Sequence, residues 1–120
     1  MNNKPQYKLA KNTQYALEGL LHAIKTETSF KIELIIAIVV FPVIYLLPVE
    51  LMYKLVLIIT YFMIMITELL NSAVENVVDL VTQEHQPLAK TAKDIGATAV
   101  LFAVILHILC WIIIGIDYFN

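Results

Sequence analysis

The residues best equipped for chemistry stand on one stretch, Glu68-Leu-Leu-Asn71-Ser72-Ala-Val-Glu75-Asn76-Val-Val-Asp79. A helix turns about 100° per residue, so with Glu68 at zero, Asn71 falls at about −60°, Ser72 at about +40°, Glu75 at about −20° and Asp79 at about +20°. Three carboxylates therefore share one narrow face. With a rise of about 1.5 Å per residue, Glu68 and Glu75 stand roughly 10 Å apart along the axis. Stacked carboxylates repel, so this face calls for a cation or for protons, and carboxylate oxygens are natural ligands of a hard divalent cation. Lys93 and Asp94 follow at the start of the last apolar segment and approach the same level. Carboxylates for Mg²⁺ with a lysine for phosphate are the equipment of phosphoryl transfer, where positioning and charge neutralisation supply most of the catalysis. The chain has no Gly-x-x-x-x-Gly-Lys-Ser/Thr loop, which excludes a P-loop site. An ion or proton pathway would also use such a ladder, and a hydrated helix end would merely display it. Glu27 and Glu33 bracket the entry to the first apolar segment, Glu27 at a depth that suits a second cation ligand beside Glu75.

The elements that must hold these groups follow from composition. The chain has 120 residues, 60% hydrophobic and 15% charged, with a mean hydropathy of +0.79. Soluble domains average about 45–50% apolar and about 25% charged, and so short a chain cannot bury the excess in a core of its own. The composition defines a membrane protein and excludes disorder. A net charge of −2 with no arginine excludes a nucleic-acid partner. The single Cys110 excludes an intrachain disulfide framework and a cysteine-based zinc site. The first 29 residues lack the pattern of a signal peptide. Within them Leu17, Leu20, Leu21 and Ile24 have the spacing of one helix face, which predicts an amphipathic helix over about 6–28 lying on the membrane surface.

Three apolar segments follow, over about 30–47, 51–71 and 95–117, each near the roughly 20 residues needed to cross the hydrocarbon. Pro42 lies inside the first and Pro48 ends it; the second continues as a polar extension to 81. The prediction is a single-domain, all-α membrane protein with a surface helix and three transmembrane helices. Seven of the eight lysines precede the first span or lie between the second and third. The positive-inside rule then places the N-terminus and that connection in the cytoplasm and the C-terminus outside. Glu68 falls just below the headgroups, with Glu75 and Asp79 at or beyond the water. An acid at mid-depth costs about 2.5–3.5 kcal/mol, less near the boundary. His107 lies too deep to meet a water-borne substrate and reads as a hydrogen-bonded packing residue. Ala92, Gly96, Ala99 and Ala103 form a small-residue face suited to close helix contact. Three helices offer little interior for so many polar groups, which points to an oligomer.

Taken together, Glu68-Leu-Leu-Asn-Ser-Ala-Val-Glu75, Val78-Asp79 and Ala89-Lys-Thr-Ala-Lys93-Asp94-Ile-Gly96 strongly resemble the prokaryotic diacylglycerol kinase family, of the Gram-negative type. The likeness runs from about Lys8 to Trp111 and includes the Glu27–Phe30–Glu33 spacing. It implies a homotrimer in the bacterial inner membrane that phosphorylates the free hydroxyl of diacylglycerol with MgATP, returning diacylglycerol to phospholipid synthesis. It further implies Glu68 as general base, Asn71 as a group that positions the reactants, and Glu27 and Glu75 as ligands of Mg²⁺ on the ATP phosphates. Lys8, Tyr15, Asp79, Glu84, His85, Gln86, Lys93 and Asp94, with Glu27 and Glu75, are the implied nucleotide contacts. Glu33, Ala97 and Trp111, with Glu68, fall at implied lipid-substrate positions. The chain carries Lys8 where an arginine is common, Thr26 where asparagine is frequent, and His85-Gln86 where a Tyr-His pair is usual. Undecaprenol kinases share the core motif, and a small ion channel or a non-catalytic assembly protein are the readings from other classes.

Overall fold

The break between the first two helices falls at Glu27, whose backbone is extended (φ −99°, ψ 102°). Its N–H closes the preceding helix on the Ala23 carbonyl at 2.8 Å, and its own carbonyl accepts from the Lys31 N–H at 3.0 Å to open the next. The computed structural model describes residues 8–120. It contains four helices: α1 Leu9–Thr26, α2 Thr28–Leu46, α3 Leu51–Val81 and α4 Pro87–Phe119. The first positions of the expected surface helix, residues 6 and 7, lie outside the described residues. Among the described residues, α2, α3 and α4 are each long and apolar enough to cross a membrane. Pro42 sits within α2 without ending it.

At about 1.5 Å per residue, the 31 residues of α3 reach about 46 Å and the 33 of α4 about 50 Å. Both exceed the roughly 30 Å of hydrocarbon. The surplus of α3 is at its C-terminal end and that of α4 at its N-terminal end, so the two form an antiparallel stalk at one end of the bundle. The connection between them, residues 82–86, is shorter than the stretch left between the polar extension to 81 and the expected third span from about 95. α4 begins at Pro87, where the fixed proline φ suits a first helical position and its missing N–H costs nothing. Lys90, Lys93 and Asp94 are therefore helical residues with fixed directions, not loop residues.

α3 is the central element, packed on α2 along one side and on α4 along the other. Toward the stalk the core is Ala23, Phe30, Ala37, Tyr61, Ile64, Met65 and Ala103; at the far end it is Ile44, Leu57 and Ile114. A polar thread crosses between α3 and α4. The Trp111 indole N–H donates to His107 Nε2 at 2.9 Å, which leaves the ring proton on Nδ1, 2.7 Å from Thr60 Oγ1. Thr60 passes its own hydrogen to the Val56 carbonyl at 2.9 Å. Every polar atom of the thread is satisfied, as burial requires, and His107 is the hydrogen-bonded packing residue its depth predicts. Beyond the stalk-distant core, Tyr53 donates to Asp117 at 2.5 Å and Lys54 to the Tyr45 carbonyl at 2.6 Å.

Candidate active site

Glu68 lies on the face of α3 turned toward the start of α2 and is only 7% exposed. Ser29 is its hydroxyl neighbour, and Glu27 and Glu75 stand within electrostatic reach, as does Glu33 from α2. Four carboxylates from the α1–α2 corner, α2 and α3 thus converge. Asn71 joins them: its Nδ2 donates to Glu75 Oε1 at 3.3 Å. Three acceptors here, Glu33 Oε2, Glu68 Oε2 and Asn71 Oδ1, are buried without a hydrogen-bond partner among the described residues. A buried acceptor left unpaired costs about 1–3 kcal/mol, so three at one level mark a site built to receive donors or a cation. The close approach of α4 is set by Gly96, where an added Cβ would collide with Asn71 Oδ1.

About three turns beyond Glu68, roughly 15 Å along α3, the stalk opens into a cleft of about 620 Å³ lined by Asp79, Glu84, His85, Gln86, Lys93 and Asp94, among others. Lys93 Nζ is 2.6 Å from Asp79 Oδ1 and Lys90 Nζ is 2.5 Å from Asp94 Oδ2. Hydrogen bonding to Asp79, reinforced by Glu75, holds the Lys93 ammonium above the ordinary lysine range. Glu75 therefore acts on both Glu68 below and Lys93 above. The connection is pinned locally by the Glu84 N–H on Thr82 Oγ1 at 3.1 Å.

The structure brings Glu27, Glu33, Glu68, Asn71 and Glu75 into one cluster and Asp79, Glu84, His85, Gln86, Lys93 and Asp94 around one cleft. Asp94 lines this cleft together with Lys90, its exposed ion-pair partner one turn earlier on α4. Lys8 and Tyr15 are exposed and make no side-chain hydrogen bond among the described residues. Ala97 is exposed on α4 next to Gly96. Trp111 lies 15 residues beyond Gly96, roughly 22 Å along α4, against Leu47, Pro48 and Val49 at the other end of the bundle. Within one chain it does not approach Glu68. Ser29 went unmarked in the sequence because its role depends on how α2 is rotated against α3; its one signal is the four-residue spacing that puts it over Glu33.

Among the described residues no three or more His, Cys, Asp or Glu side chains form a ready metal cage. Glu27 and Glu75, both close to Glu68, instead offer the one or two carboxylates with which a protein ordinarily holds Mg²⁺ beside substrate phosphates. This donor set fits an ion that arrives with a nucleotide.

Fold and site together define a small helical membrane protein with an acidic cluster and a lysine-bearing cleft stacked at one end of its longest helices. A sequence model of the prokaryotic diacylglycerol kinase family matches residues 14–115. The chain is 37% identical over 99 residues to a diacylglycerol kinase of Pseudomonas aeruginosa, covering 82% of this chain and 80% of that one. It is 33% identical over 113 residues to a diacylglycerol kinase of Escherichia coli, covering 94% and 93%. An undecaprenol kinase of Bacillus subtilis is 64% identical over 39 residues, 32% of each chain. The chain belongs to the prokaryotic diacylglycerol kinase family.

Proposed function

We infer that the chain is a membrane lipid kinase that moves the γ-phosphoryl group of ATP to the free hydroxyl of diacylglycerol, giving ADP and phosphatidic acid. The observation that carries this reading is the buried Glu68, its Oε2 without a hydrogen-bond partner among the described residues, set about three turns, roughly 15 Å along α3, from a cleft that holds Lys93, with Glu75 between the two. A lipid hydroxyl sits at the membrane boundary while ATP stays in water, and this stacking spans that boundary. Glu68 accepts the hydroxyl proton as the lipid oxygen bonds to the γ-phosphorus and the bond to the β–γ bridging oxygen breaks. Glu33 borders the acceptor beside Glu68, and Asn71 holds the Glu75 carboxylate in place. Lys93 faces the phosphates, and Glu27 and Glu75 hold Mg²⁺. When bound, Mg²⁺ neutralises phosphate charge and orients the transferring group.

In this reading α1 lies along the cytoplasmic surface of the bacterial inner membrane, the stalk projects into the cytoplasm and the C-terminus is periplasmic. Three copies assemble into a homotrimer that covers the apolar flanks of the helices.

Two variants probe the upper and lateral walls of the site. Lys93→Gln removes a charged hydrogen-bond donor of the kind that contributes about 1.5–3 kcal/mol, so the KM for ATP is expected to rise about 10- to 100-fold with the lipid KM unchanged. Gly96→Ala forces Asn71 off Glu75, and turnover is expected to fall at least about tenfold, a loss of about 1.4 kcal/mol. Both are read from steady-state kinetics in detergent–lipid micelles.

The substrate class is tested by offering diacylglycerol and undecaprenol in parallel micelles with MgATP. Preferential formation of phosphatidic acid supports the reading. Preference for undecaprenol would retain the chemistry and overturn the acceptor.

A further inference from the structure

The chemistry proposed for the site uses nothing below Glu33 and Glu68, yet a side chain directly beneath them joins all three long helices. Tyr61 precedes Glu68 by seven residues, about two turns and roughly 10 Å, and so lies within about 20° of it on the same face of α3. It is 4% exposed. Its hydroxyl donates to the backbone carbonyl of Glu33 on α2. On one side its ring meets Phe41 of α2 edge-on, with centroids 5.4 Å apart. On the other it meets His107 of α4 edge-on, also at 5.4 Å. His107 is itself fixed by Thr60 and Trp111. The ring is thus gripped from both sides, and the hydroxyl can reach little but the Glu33 carbonyl.

That carbonyl belongs to Glu33, whose carboxylate lies within electrostatic reach of Glu68. Anchoring the backbone at this point sets the height and rotation of the α2 turn that carries Glu33, and Ser29 one turn earlier. Ring packing alone needs only a phenylalanine. The added hydroxyl contributes position.

We propose that Tyr61 is a positioning residue that sets Glu33 against Glu68 through the Glu33 backbone and thereby seats the hydroxyl end of the lipid acceptor. This rests on the lipid-kinase reading of the site.

The test is Tyr61→Phe in the full-length protein, which keeps the ring and removes only the hydroxyl. The KM for diacylglycerol is expected to rise about three- to tenfold, the loss typical of one hydrogen bond, with the KM for MgATP unchanged. Tyr53→Phe removes another α3 tyrosine hydroxyl, the one that donates to Asp117 at the other end of the bundle, without touching Tyr61 or Glu33. It is expected to leave both KM values unchanged. The carboxyl ¹³C signals of Glu33 and Glu68, read without substrate, are expected to shift in Tyr61→Phe and not in Tyr53→Phe. Those signals report the positioning even if the wild-type protein phosphorylates a different lipid, so failure of the acceptor assignment is separable from failure of this proposal. Unchanged signals in Tyr61→Phe, an equal rise in both KM values, or the same KM split in Tyr53→Phe would overturn it.

Discussion

Glu68→Gln is expected to lower turnover about 10²- to 10⁴-fold, the range a positioned general base contributes. The amide matches the carboxylate in size and keeps a hydrogen-bonding oxygen, but it cannot take a proton from a lipid hydroxyl. The same substitution removes a charge held beside Glu27, Glu33 and Glu75. Like charges in so confined a space are destabilising, so the variant is expected to melt at the wild-type temperature or above it. Loss of activity with stability kept or gained is the signature of a group retained for function at the expense of the fold. Turnover in micelles and thermal unfolding of the same preparation check both halves. Turnover within tenfold of wild type removes Glu68 as the base.

Glu75→Gln is expected to raise the Mg²⁺ concentration for half-maximal activity by at least about tenfold, the lower end of what loss of even an outer partner costs a metal site. Among the described residues Glu75 is the carboxylate that couples the two levels, acting on Glu68 and on Lys93 while accepting from Asn71. Its neutralisation therefore weakens the Asn71 contact and loosens the charge balance around Lys93 as well. The KM for ATP should rise in parallel, and a Mg²⁺ titration at fixed ATP measures the effect. An unchanged metal requirement contradicts the assignment of Glu75 as a ligand.

The parts of this molecule that depend on one helix at a time were readable in the sequence. Hydropathy located three helices able to span a membrane. The roughly 100° advance per residue placed Glu68, Asn71, Glu75 and Asp79 on one face, and α3 does run unbroken through them to Val81. The start of α4 was less legible, because Ala89 to Asp94 is too polar to extend an apolar span, and Pro87 as a helix-opening residue was the available cue. What depends on the mutual rotation of helices was not readable. Ser29 beside Glu68, Tyr61 on the Glu33 carbonyl and the contact of Asn71 with Gly96 all arise between elements. Gly96 stood out only as one of several small residues, whereas the structure gives it a specific consequence for Asn71. Trp111 shows the reverse: the resemblance attaches it to the lipid substrate, while within one chain it packs toward the opposite end of the bundle and its indole N–H is spent on His107.

The central claim is that the buried carboxylate of Glu68 is where a lipid hydroxyl loses its proton to accept phosphate. Its most direct test follows label from γ-labelled MgATP in diacylglycerol micelles, with wild-type protein and Glu68→Gln side by side and nucleotide binding measured on both. The account predicts labelled phosphatidic acid from the wild type, almost none from the variant, and equal nucleotide binding. Equal labelling by both proteins, or label released only as free phosphate, would contradict it.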